Sequence, residues 1–303
     1  MSESLWPTMQ EAFQAIGPHY QEVSQATVQN AGFERGDWFA CYLAFGLEPE
    51  PLTAVTFHQI APYGNVERLQ TFLIGATERG FLEAVDDYEY ALTEKGRSAT
   101  QQFFDEVWSI LAQVTPLSEA RMTQLAELLH RIVLATMATA EPAAKPQLAV
   151  SRGTDPGLDV PSIVRIDQYL TDLTRFRDDA HVAAWSQYDM NGQTWETFSL
   201  IWRGEVNTLA ELTERLQNRE FDTAVYADAL NNLLQKGWIS EDEGIYQVTA
   251  VGKELRENAE AQTETYFHVG LSNLTENEIA TLKSLLVQLK EGLAIAEPEL
   301  VPA

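Results

Sequence analysis

Apolar residues recur at helical spacing through most of the chain. In the segment 164–188 they fall at Ile166, Tyr169, Leu170, Leu173 and Phe176, one stripe of a 3.6-residue period. "NGQ" (191–193) breaks the pattern. Thr194 is placed to N-cap a helix over 195–203, Thr208 to cap 208–217, and Asp222 to open 222–237, which closes on Gly237. The period then changes. "WISEDEGIYQVTA" (238–250) reads as a strand, an acidic turn at Gly244 and a second strand. Helices over 252–271 and 275–293 follow, the latter with a capping box made by Thr275 and Glu278.

The first half predicts the same order: helices over 8–30, 37–45, 51–61 and 65–80, a hairpin over 81–93, then helices over 96–113 and 118–135. Displacing the sequence by 157 residues puts Trp38 on Trp195, Leu43 on Leu200, Leu52 on Leu209, Leu73 on Leu230 and Gly80 on Gly237. "TEKG" (93–96) meets "TAVG" (249–252) once the second hairpin loses a residue, and "AEPA" (140–143) has a counterpart in "AEPE" (296–299). The chain thus reads as two copies of one unit, 1–140 and 162–303. Between them, 141–161 holds four prolines and two glycines, the composition of an exposed linker.

Three short helices, a two-stranded wing and flanking long helices predict a mainly α fold with small β-hairpin wings. The motifs "LIGATERGFLEAVDDYEYALTEKGRSATQQF" and "LNNLLQKGWISEDEGIYQVTAVGKELREN" resemble the reading-helix end, wing and following helix start of the MarR family of winged helix-turn-helix regulators. The resemblance implies terminal helices that form a dimer interface. Two copies in one chain then imply an intramolecular pseudo-dimer, with Leu125, Leu128, Leu129 and Ile132 packed against Leu282, Leu285, Leu286 and Leu289. It also implies a DNA-binding transcription regulator, with effectors held between the dimer helices and the winged units.

Charge changes that picture. The chain has 20 Lys+Arg against 45 Asp+Glu, a formal net charge of -25, which opposes approach to nucleic acid and anionic membrane. Residues 65–79 are neutral, 80–93 carry -4, 222–236 carry -1 and 237–249 carry -3, a total of -8 over the two reading helices and wings. The resemblance implies an Arg at each wing tip, and neither "AVDDYEY" nor "SEDEGIY" has one. Asn65, Arg68, Arg79 and Lys236 are the candidate DNA contacts, Arg68 foremost because it lies one turn into its helix. The alternative function is a non-enzymatic interaction or small-molecule sensor module that kept the fold and lost DNA binding.

A small apolar ligand is the other candidate partner. Trp38, Tyr42, Trp185, Trp195 and Trp202 are its candidate pocket residues, although Trp195, Phe198 and Trp202 share the i, i+3, i+7 spacing of a plain core stripe. No Gly-rich phosphate loop, nucleophile elbow or zinc-type Cys/His set is present, so the expectation is no enzyme, no cofactor and no metal. His181 reads as a lone helix-surface residue. Asp178–Asp179 reads as a solvated acidic pair. Cys41, the one cysteine, reads as a buried thiol or an oxidant sensor. The absence of any possible internal disulfide and of a secretory signal suggests a cytoplasmic protein.

Overall fold

A computed structural model describes residues 5–34 and 36–295. The "AEPE" counterpart at 296–299 lies outside them. The described chain is mainly helical with two small antiparallel sheets.

The first half begins with α1 (Trp6–Ile16) and α2 (Pro18–Asn30) where one helix over 8–30 was expected. Pro18 has no N–H to continue the ladder, so the helix is interrupted at Gly17–Pro18 although Gly17 keeps helical angles. Next come α3 (Asp37–Leu47), β1 (Leu52–Thr53), α4 (Ala54–Ile60) and α5 (Val66–Glu78). The wing is β2 (Leu82–Asp86) and β3 (Glu89–Leu92), with β3 central because β1 pairs along its other edge. Helices α6 (Glu94–Leu111) and α7 (Glu119–Ala138) follow.

The expected exposed linker is instead built into the core. Pro146 opens α8 (Pro146–Gly153), a position where the missing N–H costs nothing. Gln147, Leu148, Val150 and Ser151 are buried. Two acids on the next helix, α9 (Ser162–Ser186), hold α8 in place. Asp179 accepts the N–H groups of Gln147 and Leu148 at 3.1 and 2.9 Å, capping the helix from outside its own sequence. Asp172 accepts from Ser151 Oγ, Arg152 Nη1 and Gln168 Nε2 at 2.6–2.9 Å. Asp179 is therefore not half of a solvated pair.

The second half continues with α10 (Gly192–Trp202), α11 (Leu209–Arg215), a 3-10 turn at Gln217–Arg219, α12 (Thr223–Gln235), β4 (Ile239–Asp242), β5 (Ile245–Val248), α13 (Ala250–His268) and α14 (Glu276–Ile295). The cap of α10 is Asn191, whose side chain accepts from Thr194 N, and not Thr194 itself. Wing and helix meet alike in the two halves. Thr93 Oγ1 donates to Gly80 O and accepts from Gly96 N, and Thr249 Oγ1 does the same with Gly237 O and Gly252 N. Gly80 and Gly237 both have positive φ, at 75° and 70°.

Three buried clusters organise the molecule. One fills the first winged unit and includes Val150 of α8. One fills the second unit. The largest joins α1, α7, α9 and α14, and holds the leucine and isoleucine stripes of α7 and α14 together. Helix α1 packs on α14, and α7 packs on α9.

Candidate functional site

In a helix-turn-helix the second helix of the motif reads base edges through its N-terminal residues. The MarR-like resemblance assigns that role to α5 and α12. At α5, Asn65 is the N-cap: its Oδ1 accepts from Glu67 N and Arg68 N. Its Nδ2 donates to Glu220 O at 3.3 Å, across to the second unit. Arg68 crosses as well, donating to Asn218 O and pairing with Glu220 at 3.2 Å, with 16% of its side chain exposed. Arg219 in turn lies over the Tyr63 ring, and Trp185 Nε1 donates to Tyr63 Oη at 3.1 Å. Gly192 lets the backbone of Pro62 approach so closely that a Cβ would strike its carbonyl. The turn before α5 and the turn before α12 thus interlock.

The other two candidate contacts differ. Arg79 points inward and clamps the fully buried Asp37 through Nε and Nη2, both at 2.6 Å, with Glu34 at 3.0 Å. Lys236 lies over the Trp238 ring and makes no ion pair among the described residues. Glu83, Asp86, Asp87 and Glu241–Glu243 are exposed on the wings. Of the four candidate DNA contacts, Asn65, Arg68 and Arg79 each bond to other residues of the protein. Composition could not reveal this, because the partners of Asn65 and Arg68 lie about 150 residues away in sequence.

A cavity of about 170 Å³ adjoins the interlocked turns, between the α4–α5 turn, α8 and α9. Ile60, Pro62 and Val182 give it apolar walls, and Gln147 and Asp178 face it. A smaller void of about 40 Å³ shares Ile60 and Gln147 and reaches Tyr42 and Arg175. Burial raises the Asp178 carboxyl above its ordinary range, against the opposing pull of Arg175 and Arg177.

A helix-turn-helix family model matches residues 93–298, well over half of the chain. The chain belongs to the helix-turn-helix family. No curated protein and no solved structure matches it. The family span starts at the Thr93 cap of α6 and runs through the end of α14. It leaves out α5 and the first wing, where the resemblance to a DNA reader was also drawn.

In this helix-turn-helix protein the five candidate pocket aromatics fall into two groups, Trp38 with Tyr42 in the first unit and Trp185, Trp195 and Trp202 in the second. Trp38 and Tyr42 lie on α3, where Trp38 packs against Phe103 with centroids 4.0 Å apart and the rings tilted by 40°. Trp185 and Trp195 are fully packed core of the second unit, and Trp202 lies beneath the Arg256 guanidinium. Only Tyr42 borders one of the voids described above. His181 is not a free surface residue: Nε2 accepts from Trp195 Nε1 at 3.2 Å and Nδ1 stands 3.3 Å from Thr263 Oγ1. Burial and the neighbouring Arg256 push its pKa down to about 4. Cys41 is fully buried, and burial together with Asp37 pushes its thiol up to about 12, an environment that suppresses thiolate chemistry. Among the described residues no group of three or more His, Cys, Asp or Glu is placed to hold a metal, and no helix is long and apolar enough to cross a membrane.

Proposed function

We propose that this protein is a fused, MarR-like winged-helix pseudo-dimer that works as a non-enzymatic, small-molecule-responsive module and does not read DNA in the closed arrangement described above. The observation that carries this reading is the engagement of Asn65 and Arg68 by residues 218–220. Dimeric helix-turn-helix proteins place their reading residues about 34 Å apart, one turn of DNA. Here the caps of α5 and α12, Asn65 and Asp222, are separated by the Asn65 side chain, one hydrogen bond and two residues of chain, roughly 15 Å at most. The exposed acids of both wings favour the same reading.

The pseudo-dimer is supported by reciprocal packing. Under the 157-residue repeat α1 and the start of α9 are counterparts, as are α7 and α14. Packing of α1 on α14 and of α7 on α9 is the exchange expected across a two-fold axis.

Fluorescence anisotropy of the full chain with duplex DNA from its own upstream region, titrated with salt, tests the reading. The expected result is no saturable binding even at low salt. Binding that weakens steeply with salt would overturn it. A second reading, a DNA-binding transcription regulator that reads DNA after opening, is favoured by family membership. It predicts that Glu220→Lys, which severs the Arg68 pair, gains salt-sensitive DNA binding that the parent lacks.

A further inference from the structure

We propose that the cavity between the α4–α5 turn, α8 and α9 binds a small organic cation, an amine carried on a compact apolar body. The inference rests on the small-molecule-responsive module proposed above. Three elements far apart in sequence build the walls, and one of them, α8, lies outside the repeated unit. At about 170 Å³ the space is well below the roughly 300–1,000 Å³ of sites for drug-sized ligands, so the occupant is small.

The polar groups set the sign of its charge. Asp178 lines the cavity, and 47% of its side chain remains open. Arg175 Nη1 stands 3.6 Å from Asp178 Oδ2, beyond ordinary hydrogen-bond length. The carboxylate is half open and paired with Arg175, and it keeps further acceptor positions that an ammonium would fill. Gln147 is 7% exposed, faces both this cavity and the smaller void, and its side-chain amide makes no hydrogen bond among the described residues. Its carbonyl is a second acceptor for an N–H donor. His181 presents no opposing charge, because its Nε2 already accepts from Trp195. Ile60, Pro62 and Val182 suit a hydrocarbon body. The formal charge of -25 attracts cations at long range.

Calorimetric titration of the full chain with cyclohexylamine, protonated at neutral pH, and with its neutral analogue cyclohexanol tests this. The expected result is saturable 1:1 binding of the amine, at least tenfold weaker binding of the alcohol, and at least a tenfold loss of amine affinity in Asp178→Asn. Val182→Phe, which fills the cavity, should abolish both. Asp178→Asn is isosteric and its side chain is half open, so it decides the matter if Val182→Phe fails to fold. Absence of saturable amine binding, equal affinity for the two probes, or unchanged amine affinity in Asp178→Asn would overturn the site. Amine binding with the expected Asp178 dependence, but no change in small-angle scattering or in response to DNA, would keep the site and overturn the responsive-module reading instead.

Discussion

Arg79 and Asp37 form the most deeply committed ion pair of the first winged unit, and the two partners are not equivalent. Asp37 is fully buried, whereas 29% of the Arg79 side chain reaches solvent. Removing Arg79 strands a buried carboxylate whose remaining partner is Glu34 N at 2.8 Å. Removing Asp37 leaves a guanidinium that water and Glu34 can still reach. Urea unfolding should therefore show Arg79→Ala losing about 3 kcal/mol, the low end for breaking a buried pair, and Asp37→Ala losing less. Equal losses would contradict the asymmetry. His181 adds a pH dependence. Its folded pKa of about 4 lies below the unfolded value, so the folded state binds fewer protons between the two. The stability it contributes is complete above about pH 6.5 and is lost as pH falls toward 4. The advantage of the parent over His181→Gln in thermal unfolding should shrink across that window. Residues with local jobs were legible in the sequence: the Thr208 cap and the helix-ending glycine at 237 act within a few positions of themselves, so spacing alone identifies them. The partners of Arg68, Arg79 and His181 are remote in sequence, and no local pattern encodes a remote partner.

Among the elements, α8 departs most from expectation. Its prolines and glycines were read as punctuation of an exposed linker, and the punctuation is real: Pro146 starts the helix and Gly153 ends it. What the pattern could not show is that Asp172 and Asp179, on another helix, satisfy its start and its Arg152. Gly153 also has a packing task. A Cβ there would strike the backbone of Gly46, so α3 and α8 cross through two glycines. Gly153→Ala should force the helices apart and cost about 1–3 kcal/mol, the usual range for overpacking. Asp172→Ala leaves Arg152 without its buried partner and should cost at least as much. In both variants limited proteolysis should move to 141–161, and cleavage confined to other sites would show that α8 is not held as described. The wings, by contrast, were legible as elements, because alternation around a turn is a local signal. The acids they carry were legible too and remain on the surface.

For the whole molecule, the question is whether the two halves stand apart or complete one another. The largest core draws on α1 and α7 from one half and α9 and α14 from the other, and the junction of the α5 and α12 turns closes the opposite side. The two contacts answer to different tests. The shared core predicts that a 1–140 fragment, deprived of α9 and α14, exposes Leu125, Leu128, Leu129 and Ile132 and associates or unfolds. A folded, monomeric fragment in sedimentation analysis would contradict a shared core. The junction predicts that the two winged units swing apart without unfolding while the shared core holds. Gly192→Ala introduces no charge, yet its Cβ displaces Pro62 from α10, and Glu220→Lys reverses one end of the Arg68 pair. Each should raise the radius of gyration in small-angle scattering while far-ultraviolet circular dichroism stays unchanged, because the core of each winged unit is intact. The two together should open the molecule no further than the more effective one alone, since both act on one interface. If scattering is unchanged in both variants, the interlocked turns do not hold the winged units together, and occlusion of Asn65 and Arg68 no longer supports the proposal that the closed form does not read DNA. The acidic wings would then have to carry that effect alone, and reversing Asp86 and Asp87 to lysine should restore salt-sensitive binding where Glu220→Lys does not.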